Sequence, residues 1–246
     1  MNSLAPKLKT VDKYHPDYPL GKFPPGFALA LGREIVYILA TRDPPSIEGP
    51  DWEQIFARCV GAAWRPSNVG LDDIQLRQMA WSAKTVKNNN PFTTRHVRLI
   101  SGRNSLDYSF DVDNVHTEKP DKLGQMILGI WNERISEVRS RFTTTRTAVL
   151  IKGPDLATVS VFEEEALRFD PDEFYWEWNS NNNLEGYVRG TDVKRFTWQP
   201  HGAQFTISTT VPDNRLKLRI RKPPVIDRDA FLNAIRFDPS WIEVVE

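Results

Sequence analysis

The stretch that decides the fold is residues 70–87, which read GLDDIQLRQMAWSAKTVK. Residues 79–87 look extended and predict a β-strand. The segment 69–76 also looks extended, so the two segments predict an antiparallel hairpin. In a plain hairpin the carboxylates are turn residues and the lysines are solvated edge charges that discourage aggregation. A functional interpretation therefore needs support from the surrounding elements.

The alternation of the second strand brings chemically different side chains together. Ser82 and Lys84 are two positions apart and share one face of the strand. Antiparallel pairing with the preceding segment can place Asp72 or Asp73 alongside them. A carboxylate, a hydroxyl and an ammonium group then converge, and this grouping suits the hydrolysis of a phosphodiester.

Helices and strands are predicted on both sides of the hairpin. Apolar residues at helical spacing predict a helix before it, with Asp51 as the N-cap and Gln54 as the capping-box partner. A second helical stripe, which includes Arg134, runs from about residue 121 to 142. A short strand at 96–100 precedes this helix, and the apolar strand TRTAVLIK follows it. The order is thus helix, strand, strand, strand, helix, strand.

This order, with the acidic pair DDI, the strand WSAK and an acidic residue on the preceding helix, resembles the PD-(D/E)XK nuclease superfamily over about residues 50–152. Many type II restriction endonucleases belong to that superfamily. In it, a first motif aspartate and the acid of (D/E)XK bind Mg²⁺, and the motif lysine assists the attacking water. The resemblance assigns Asp73 to the first position, because the apolar Ile74 follows it, and Lys84 to the lysine. Asp72 remains the alternative aspartate.

The sequence departs from the family pattern at Ser82, which stands where an acidic residue is usual. Glu53, on the helix before the hairpin, is the candidate for the second metal-binding carboxylate. The alternative for Glu53 is a first-turn acid that the helix dipole favours. Backbone carbonyls beside Lys84 are natural further ligands, since Mg²⁺ accepts a mixed oxygen shell completed by water. The resemblance thus implies catalytic roles for Asp73, Lys84, Ser82 and Glu53, with Mg²⁺ as cofactor and Mn²⁺ as its substitute.

Composition argues against several other kinds of site. Lys and Arg number 32 and Asp and Glu number 32, so the global charge neither predicts nor excludes nucleic acid. A single cysteine, Cys59, and four scattered histidines argue against a structural zinc site. The chain has no GxxxxGK[ST] phosphate loop, so no nucleotide cofactor is expected. No apolar run approaches the ~20 residues of a membrane span, and we expect a cytoplasmic protein with no membrane partner.

We expect an α/β protein of the α+β type, with a mixed central sheet flanked by helices. Residues 1–50 predict an N-terminal arm and extension, and residues 51–152 predict the PD-(D/E)XK-like catalytic core. Residues 153–246 predict a β-rich region that contacts DNA and belongs to the same compact unit. The acidic run at 163–165 is expected to form a solvated face.

Basic and amide side chains after the hairpin and in the β-rich region are candidates for DNA contacts. Guanidinium groups suit phosphate or guanine, and amides suit adenine. Ordinary polar loops are the alternative for the same residues. The candidates are Lys87, Asn88, Arg95, Arg98, Ser101, Arg103, Asn104, Asn181, Asn182, Asn183, Arg189, Lys194, Gln199, His201 and Gln204.

The resemblance implies a Mg²⁺-dependent type II restriction endonuclease that cuts double-stranded DNA at a short specific sequence. A symmetric recognition site would imply a homodimer, because half-sites related by a two-fold axis match a two-fold protein. A structure-selective repair or junction-resolving nuclease is an alternative on the same fold. A non-catalytic β-rich binding module is the alternative from a different functional class.

Overall fold

The computed structural model of the chain describes residues 14–245, and within that range it contains five α-helices and eleven β-strands. The strands form a mixed six-stranded sheet and an antiparallel five-stranded sheet. The expected α+β class is therefore confirmed. No helix in the described part of the chain has the length and apolar character that a membrane crossing requires.

The helices are α1 Phe27–Thr41, α2 Gly49–Val60, α3 Leu106–Phe110, α4 Pro120–Arg141 and α5 Arg228–Ala234. The strands are β1 Ala63–Trp64, β2 Ile74–Leu76, β3 Met79–Lys87, β4 His96–Arg103, β5 Thr144–Lys152, β6 Thr158–Glu165, β7 Phe174–Trp178, β8 Leu184–Val188, β9 Lys194–Gln199, β10 Gln204–Thr210 and β11 Leu216–Arg219.

The six-stranded sheet has the order β1-β2-β3-β5-β6-β11, and β3 lies at its centre. The hairpin of β2 and β3 is antiparallel, with Ile74 opposite Trp81. Strand β5 runs parallel to β3, with Thr147 opposite Ser82. Parallel neighbours need a crossover, and here the chain passes through β4 and α4 between them. The predicted bounds of β3 agree with the structure, whereas β2 is shorter than the extended segment 69–76.

The five-stranded sheet has the order β4-β10-β9-β8-β7, so β4 lies in this second sheet and does not extend the central one. A turn after β3 redirects the chain, with the amides of Thr93 and Thr94 both bonded to the carbonyl of Asn90. Strand β4 then pairs with β10 and packs face to face against the central sheet, where Val97 and Leu99 are buried. The predicted order along the chain is present, but its third strand joins the other sheet.

The two sheets mix strands from both predicted segments. Strands β6 and β11, from residues 153–246, complete the central sheet, and β4, from residues 51–152, is an edge of the second sheet. The boundary at residue 152 therefore does not divide the structure, in agreement with a single compact unit.

The N-terminal extension contains a helix that the sequence interpretation missed. Helix α1 buries one face, which includes Leu31 and Ile35, but Leu29 and Tyr37 on its outer side are exposed apolar residues. Apolar residues on both sides blur the helical period, and this explains why the segment gave no clear signal. Residues 1–13 of the predicted arm lie outside the described residues.

The start of α2 corrects the predicted cap. The N-cap is Glu48, and its side chain and that of Asp51 accept reciprocal bonds from each other's backbone amides. The Glu48 amide lies 3.0 Å from Asp51 Oδ2. Asp51 is thus the third residue of the helix, and the predicted pairing with Gln54 is wrong because the helix begins three residues earlier than predicted, at Gly49.

The two faces of the central sheet are covered differently. Helices α1 and α2 cover the face that carries Met79, Trp81 and Ala83. On this face Trp52 Nε1 donates to the carbonyl of Ala148 at 3.0 Å, which fixes α2 against β5. Helix α4 and the five-stranded sheet cover the opposite face, to which Ala80 contributes.

The acidic run 163–165 is not a solvated face, because Glu163 is buried in the central sheet. Its carboxylate accepts bonds from Trp81 Nε1 at 2.6 Å, Tyr18 Oη at 2.9 Å and Arg146 Nη1 at 3.3 Å. Burial raises the pKa of Glu163, and the charge of Arg146 opposes this effect. The cluster binds the N-terminal segment to β3, β5 and β6, so the prediction of a solvated run was wrong.

Replacing Glu163 with alanine should unfold the protein at a markedly lower urea concentration. Removing one partner of a buried ion pair leaves an uncompensated charge and costs about 3–5 kcal/mol. The matched control is Lys122→Ala, which removes an exposed pair with Glu118 and should cost at most about 1 kcal/mol. Equal losses in the two variants would show that the Glu163 cluster contributes no special stability.

Candidate active site

Lys84 lies on β3 and Asp73 lies immediately before β2, so both belong to the hairpin region that the sequence predicts. Asp73 directly precedes β2, and continuing the register of Ile74 with Trp81 places it opposite Ser82. Burial lowers the pKa of Lys84, the carboxylates of Asp73 and Glu53 raise it, and Arg134 lowers it further. These electrostatic partners define the candidate site as Asp73, Lys84, Glu53 and Arg134.

Asp73 is buried but retains one carboxylate oxygen for another ligand. Its Oδ1 accepts a bond from the amide of Ser67 at 2.8 Å. Its backbone carbonyl accepts from the amide of Arg65 at 2.7 Å, which holds the loop before β2 in place. Its Oδ2 accepts no hydrogen bond from any residue between 14 and 245. A buried carboxylate with a free oxygen is suited to a cation or to water.

Asp72 serves the fold, and the structure does not support it as a metal ligand. Its Oδ2 lies 2.7 Å from Arg141 Nη1, and its Oδ1 accepts a bond from Ser67 Oγ at 2.6 Å. Gln75 Nε2 also donates to its backbone carbonyl at 3.0 Å. Of the two aspartates, Asp73 is the one that acts electrostatically on Lys84.

Glu53 comes from α2 and reaches the same site. It is partly buried, and Trp64 Nε1 donates to its Oε2 at 3.0 Å. Burial raises the pKa of Glu53, the carboxylate of Asp73 raises it further, and Lys84 opposes the rise. The helix-dipole alternative does not account for these neighbours, because they lie outside α2. Trp64 was not predicted, and its place in the short strand β1 gave no sequence signal.

Ser82 is buried, and its Oγ donates to Thr147 Oγ1 on β5 at 3.2 Å. The register continues this row across the sheet to Glu164 on β6, opposite Thr147. Glu164 lies two strands from Ser82, about 10 Å at the usual strand spacing. Its pKa is raised by burial, and it lines a cavity of about 40 Å³ together with Arg195. Of the two glutamates, Glu53 is the one whose pKa is raised by the charge of Asp73, and Glu164 is not affected by Asp73.

Arg134 is a member of the site that the sequence interpretation missed. Its Nε donates to the carbonyl of Val69 at 3.1 Å and its Nη1 to the carbonyl of Ser101 at 2.9 Å. A Cβ on Gly102 would lie 2.2 Å from Nη1, so only glycine leaves room for this guanidinium. Burial lowers the pKa of Arg134, and no carboxylate in the described residues forms an ion pair with it. The sequence did contain a signal for Arg134, because a charged residue within the apolar stripe of α4 is unusual.

The donor set fits a hard divalent cation that keeps much of its water. Asp73 and Glu53 offer two carboxylates, and backbone carbonyls beside Lys84 would be further oxygen ligands of the kind Mg²⁺ accepts. Over residues 14–245, no three or more His, Cys, Asp or Glu side chains cluster closely enough to hold a metal by themselves. A cation held at this site would need carbonyl and water oxygens besides the carboxylates to complete its shell.

Several predicted DNA contacts are exposed in the structure. Arg95 and Arg98 lie at the start of β4, an edge strand, and Arg103 lies at its end. Asn181 and Asn182 form an exposed turn in which Asn182 has φ 55°. The exposed candidates are Lys87, Arg95, Arg98, Arg103, Asn181, Asn182, Arg189, Lys194 and His201, and the partly buried ones are Asn88, Asn183, Gln199 and Gln204.

Two predicted DNA contacts are corrected by their burial. Asn104 is fully buried, and its Nδ2 donates to the carbonyl of Ile127 at 2.9 Å. Ser101 is also buried, and its Oγ donates to the carbonyl of Leu99. Neither side chain can reach a base edge, because each serves the interior where β4 meets α4.

Three other candidates have structural partners. Lys194 Nζ lies 2.9 Å from Glu185 Oε1, and the Arg189 guanidinium donates to the carbonyl of Phe174 at 2.7 Å. Asn88 Oδ1 accepts from the amide of Asn90. These three side chains therefore have partners within the protein and need no contact with DNA to explain their positions. The arginines of β4 are the stronger candidates for phosphate contacts.

The two neighbouring aspartates should respond differently to the same change. Asp72→Asn weakens the contact between Asp72 and the half-exposed Arg141 and should lower the free energy of unfolding by about 2 kcal/mol, the usual value of a hydrogen bond to a charged group. Asp73→Asn keeps an acceptor for the Ser67 amide and should cost less than about 1 kcal/mol. Urea denaturation of both variants measures the difference. Equal losses would mean that the fold depends on Asp73 as much as on Asp72.

Comparisons with known proteins do not add to this geometry. No family model matches the chain, and no curated protein or solved structure is significantly similar to it.

Proposed function

We propose that the protein is a Mg²⁺-dependent endonuclease of the PD-(D/E)XK type. The observation that carries the proposal is the electrostatic cluster of Asp73, Glu53 and Lys84 at the β2–β3 hairpin. These are the residue types that the family resemblance requires, brought together from two strands and a helix. Perturbed ionisable groups of this kind cluster at functional sites.

The chain's own residues have separate tasks in the proposed reaction. Asp73 and Glu53 would hold the cation, which would supply Lewis acidity toward water and offset charge on the phosphate. Lys84 orients the attacking water and accepts its proton, since burial eases deprotonation of the amine. Arg134 is held by two carbonyls and has no ion-pair partner in the described range, so its charge is available to the phosphate oxygens. Ser82 supports the site through Thr147 and takes no part as a metal ligand.

The proposed substrate is double-stranded DNA, cut at a short specific sequence by a type II restriction endonuclease acting in the cytoplasm. Arg98 and Arg103 on β4, and Arg95 just before it, supply guanidinium groups that suit phosphate or guanine. The proposed protein is a homodimer, because a two-fold site needs two copies of the cluster. No nucleotide cofactor is part of the proposal.

Replacing Lys84 with methionine, or Asp73 with asparagine, should lower the rate of plasmid cleavage in Mg²⁺ by about 10²–10⁴-fold, the range for loss of a proton-transfer group. Lys217→Met is the matched control, since Lys217 is an exposed lysine on β11 of the same sheet. It should cut at the wild-type rate, and EDTA should stop all cleavage. Sequencing the ends of the fragments then gives the recognition site and the stagger.

Three results would contradict parts of this proposal. Wild-type rates in both variants would show that the site is elsewhere. Cleavage of branched DNA with none on linear duplex would identify a junction-resolving or repair nuclease. No cleavage of any DNA in Mg²⁺ or Mn²⁺ would favour a non-catalytic binding module.

Glu53→Gln should raise the Mg²⁺ concentration needed for half-maximal cleavage. The same shift, about tenfold, is expected for Trp64→Phe, because partners that orient a metal ligand typically affect affinity by this factor or more. Titrating Mg²⁺ against the initial cleavage rate measures both. If the Glu53→Gln curve coincides with that of the wild type, Glu53 lies outside the metal shell.

A further inference from the structure

The C-terminal arm, residues 225–245, carries many apolar side chains but buries none of its residues. It contributes nine of the 19 large hydrophobic side chains that the described structure exposes. Soluble monomers rarely expose a contiguous apolar patch beyond a few hundred Å². The nine are Val225, Ile226, Phe231, Ile235, Phe237, Trp241, Ile242, Val244 and Val245.

The arm has local order without a core. Asp227 Oδ1 caps helix α5 by accepting from the amide of Ala230 at 2.8 Å. The rings of Phe237 and Trp241 pack edge to face with centroids 5.7 Å apart. A seven-residue helix is marginal in water by itself. Its apolar side chains therefore need cover from another surface.

The arm does not find this cover on its own helix α1. It leaves the body where the amide of Ile226 donates to the carbonyl of Ala40 at 2.8 Å, near the C-terminal end of α1. A cavity of about 360 Å³ separates the two there, lined by residues that include Tyr37 and Phe231. The arm then continues without burying a side chain.

The outer side of α1 offers a groove of matching chemistry. We call it the α1 groove, and it has a volume of about 540 Å³. Its floor is apolar, and Leu29 is 72% exposed there. No residue after Arg221 lines it, so the chain's own arm leaves it open. The lining residues are Leu29, Gly32, Arg33, Val36, Tyr37, Arg219, Ile220 and Arg221.

The charges of the arm and the groove are complementary. The arm has four acidic residues and two basic ones, a net charge of −2. The groove has three arginines and no acidic residue. Glu34, the acidic residue of α1, is held by Arg58 at 2.7 Å, so it does not offset the arginines of the groove. Opposite charges around an apolar contact favour association and fix its orientation.

We propose that the arm of one protomer docks in the α1 groove of a second copy of this chain. If each arm docks on the other protomer, the contact occurs twice and closes a two-fold dimer. The aromatic side chains of the arm are its anchors, as is usual for the centre of an interface. The dimer uses surfaces on α1 and the arm, apart from the residues of the candidate active site.

The experiment measures the dimer dissociation constant of the full chain by sedimentation. The arm variant is Phe231→Ser with Trp241→Ser, and the groove variant is Leu29→Asp. Each should weaken the dimer by roughly 30-fold or more, the loss typical of an anchor residue. Tyr108→Ser, which changes a 90% exposed aromatic on α3, is the matched control and should dimerise like the wild type.

Mixing the two variants provides the decisive result. The groove variant retains an intact arm, and the arm variant retains an intact groove, so a 1:1 mixture should form a heterodimer through one complete contact. The mixture should associate more tightly than either variant alone. A monomeric wild type, unweakened variants, or a mixture no tighter than its components would each overturn the proposal.

Discussion

The alternation of side chains along β3 is the constraint on which the rest of the structure depends. Trp81 and its neighbours two positions away face α2 and the apolar core. Ser82 and Lys84 face the other way, toward α4 and the second sheet. Strand β3 is paired on both edges, by β2 and β5. A slip of one residue in its register would move Trp81 out of the apolar core and turn Ser82 and Lys84 into it. The same pairing that buries Trp81 therefore fixes the position of Lys84.

The charged groups of the candidate site are less fully paired than the buried carboxylates elsewhere in the molecule. Glu163 and Asp72 are buried carboxylates whose oxygens are bonded to arginine, tryptophan or hydroxyl groups. Lys84 and Arg134 are basic groups near the hairpin that form no ion pair in the described structure. Burial lowers the pKa of both, so their charged forms are disfavoured there. Perturbed basic groups of this kind are expected at functional sites.

Local patterns of the sequence predicted the elements well, and their long-range partners poorly. Strand β3 reads as an extended segment and helix α4 has a period of 3.6, and their predicted bounds are close to those observed. Strand β4 was also predicted as extended, but nothing in its residues indicates that β10, more than a hundred residues later, is its partner. The burial of Glu163 was missed for the same reason, because its partners Tyr18, Trp81 and Arg146 are distant along the chain.

The same distinction applies to the site. Asp73, Lys84 and Glu53 could be predicted because a motif and an adjacent helix place them near one hairpin. Asn104 and Ser101 were assigned to DNA from their polarity alone, and the interior between β4 and α4 uses that polarity instead. The place of Arg134 in the site was missed because this single charged residue was treated as one more member of the apolar stripe of α4.

Serine at position 82 is compatible with the proposed pair of carboxylates, Asp73 and Glu53. An acid there would lie beside Thr147 and opposite Asp73, adding a third negative charge near Glu53 in a buried strand. With serine, the hydroxyl row of Ser82 and Thr147 stays neutral, and the carboxylates are Asp73 and Glu53. Glu53 depends on α2, which is fixed by the bond from Trp52 to Ala148 and by packing on Trp81. The site is thus assembled across the sheet, from one carboxylate on the hairpin and one on the helix behind it.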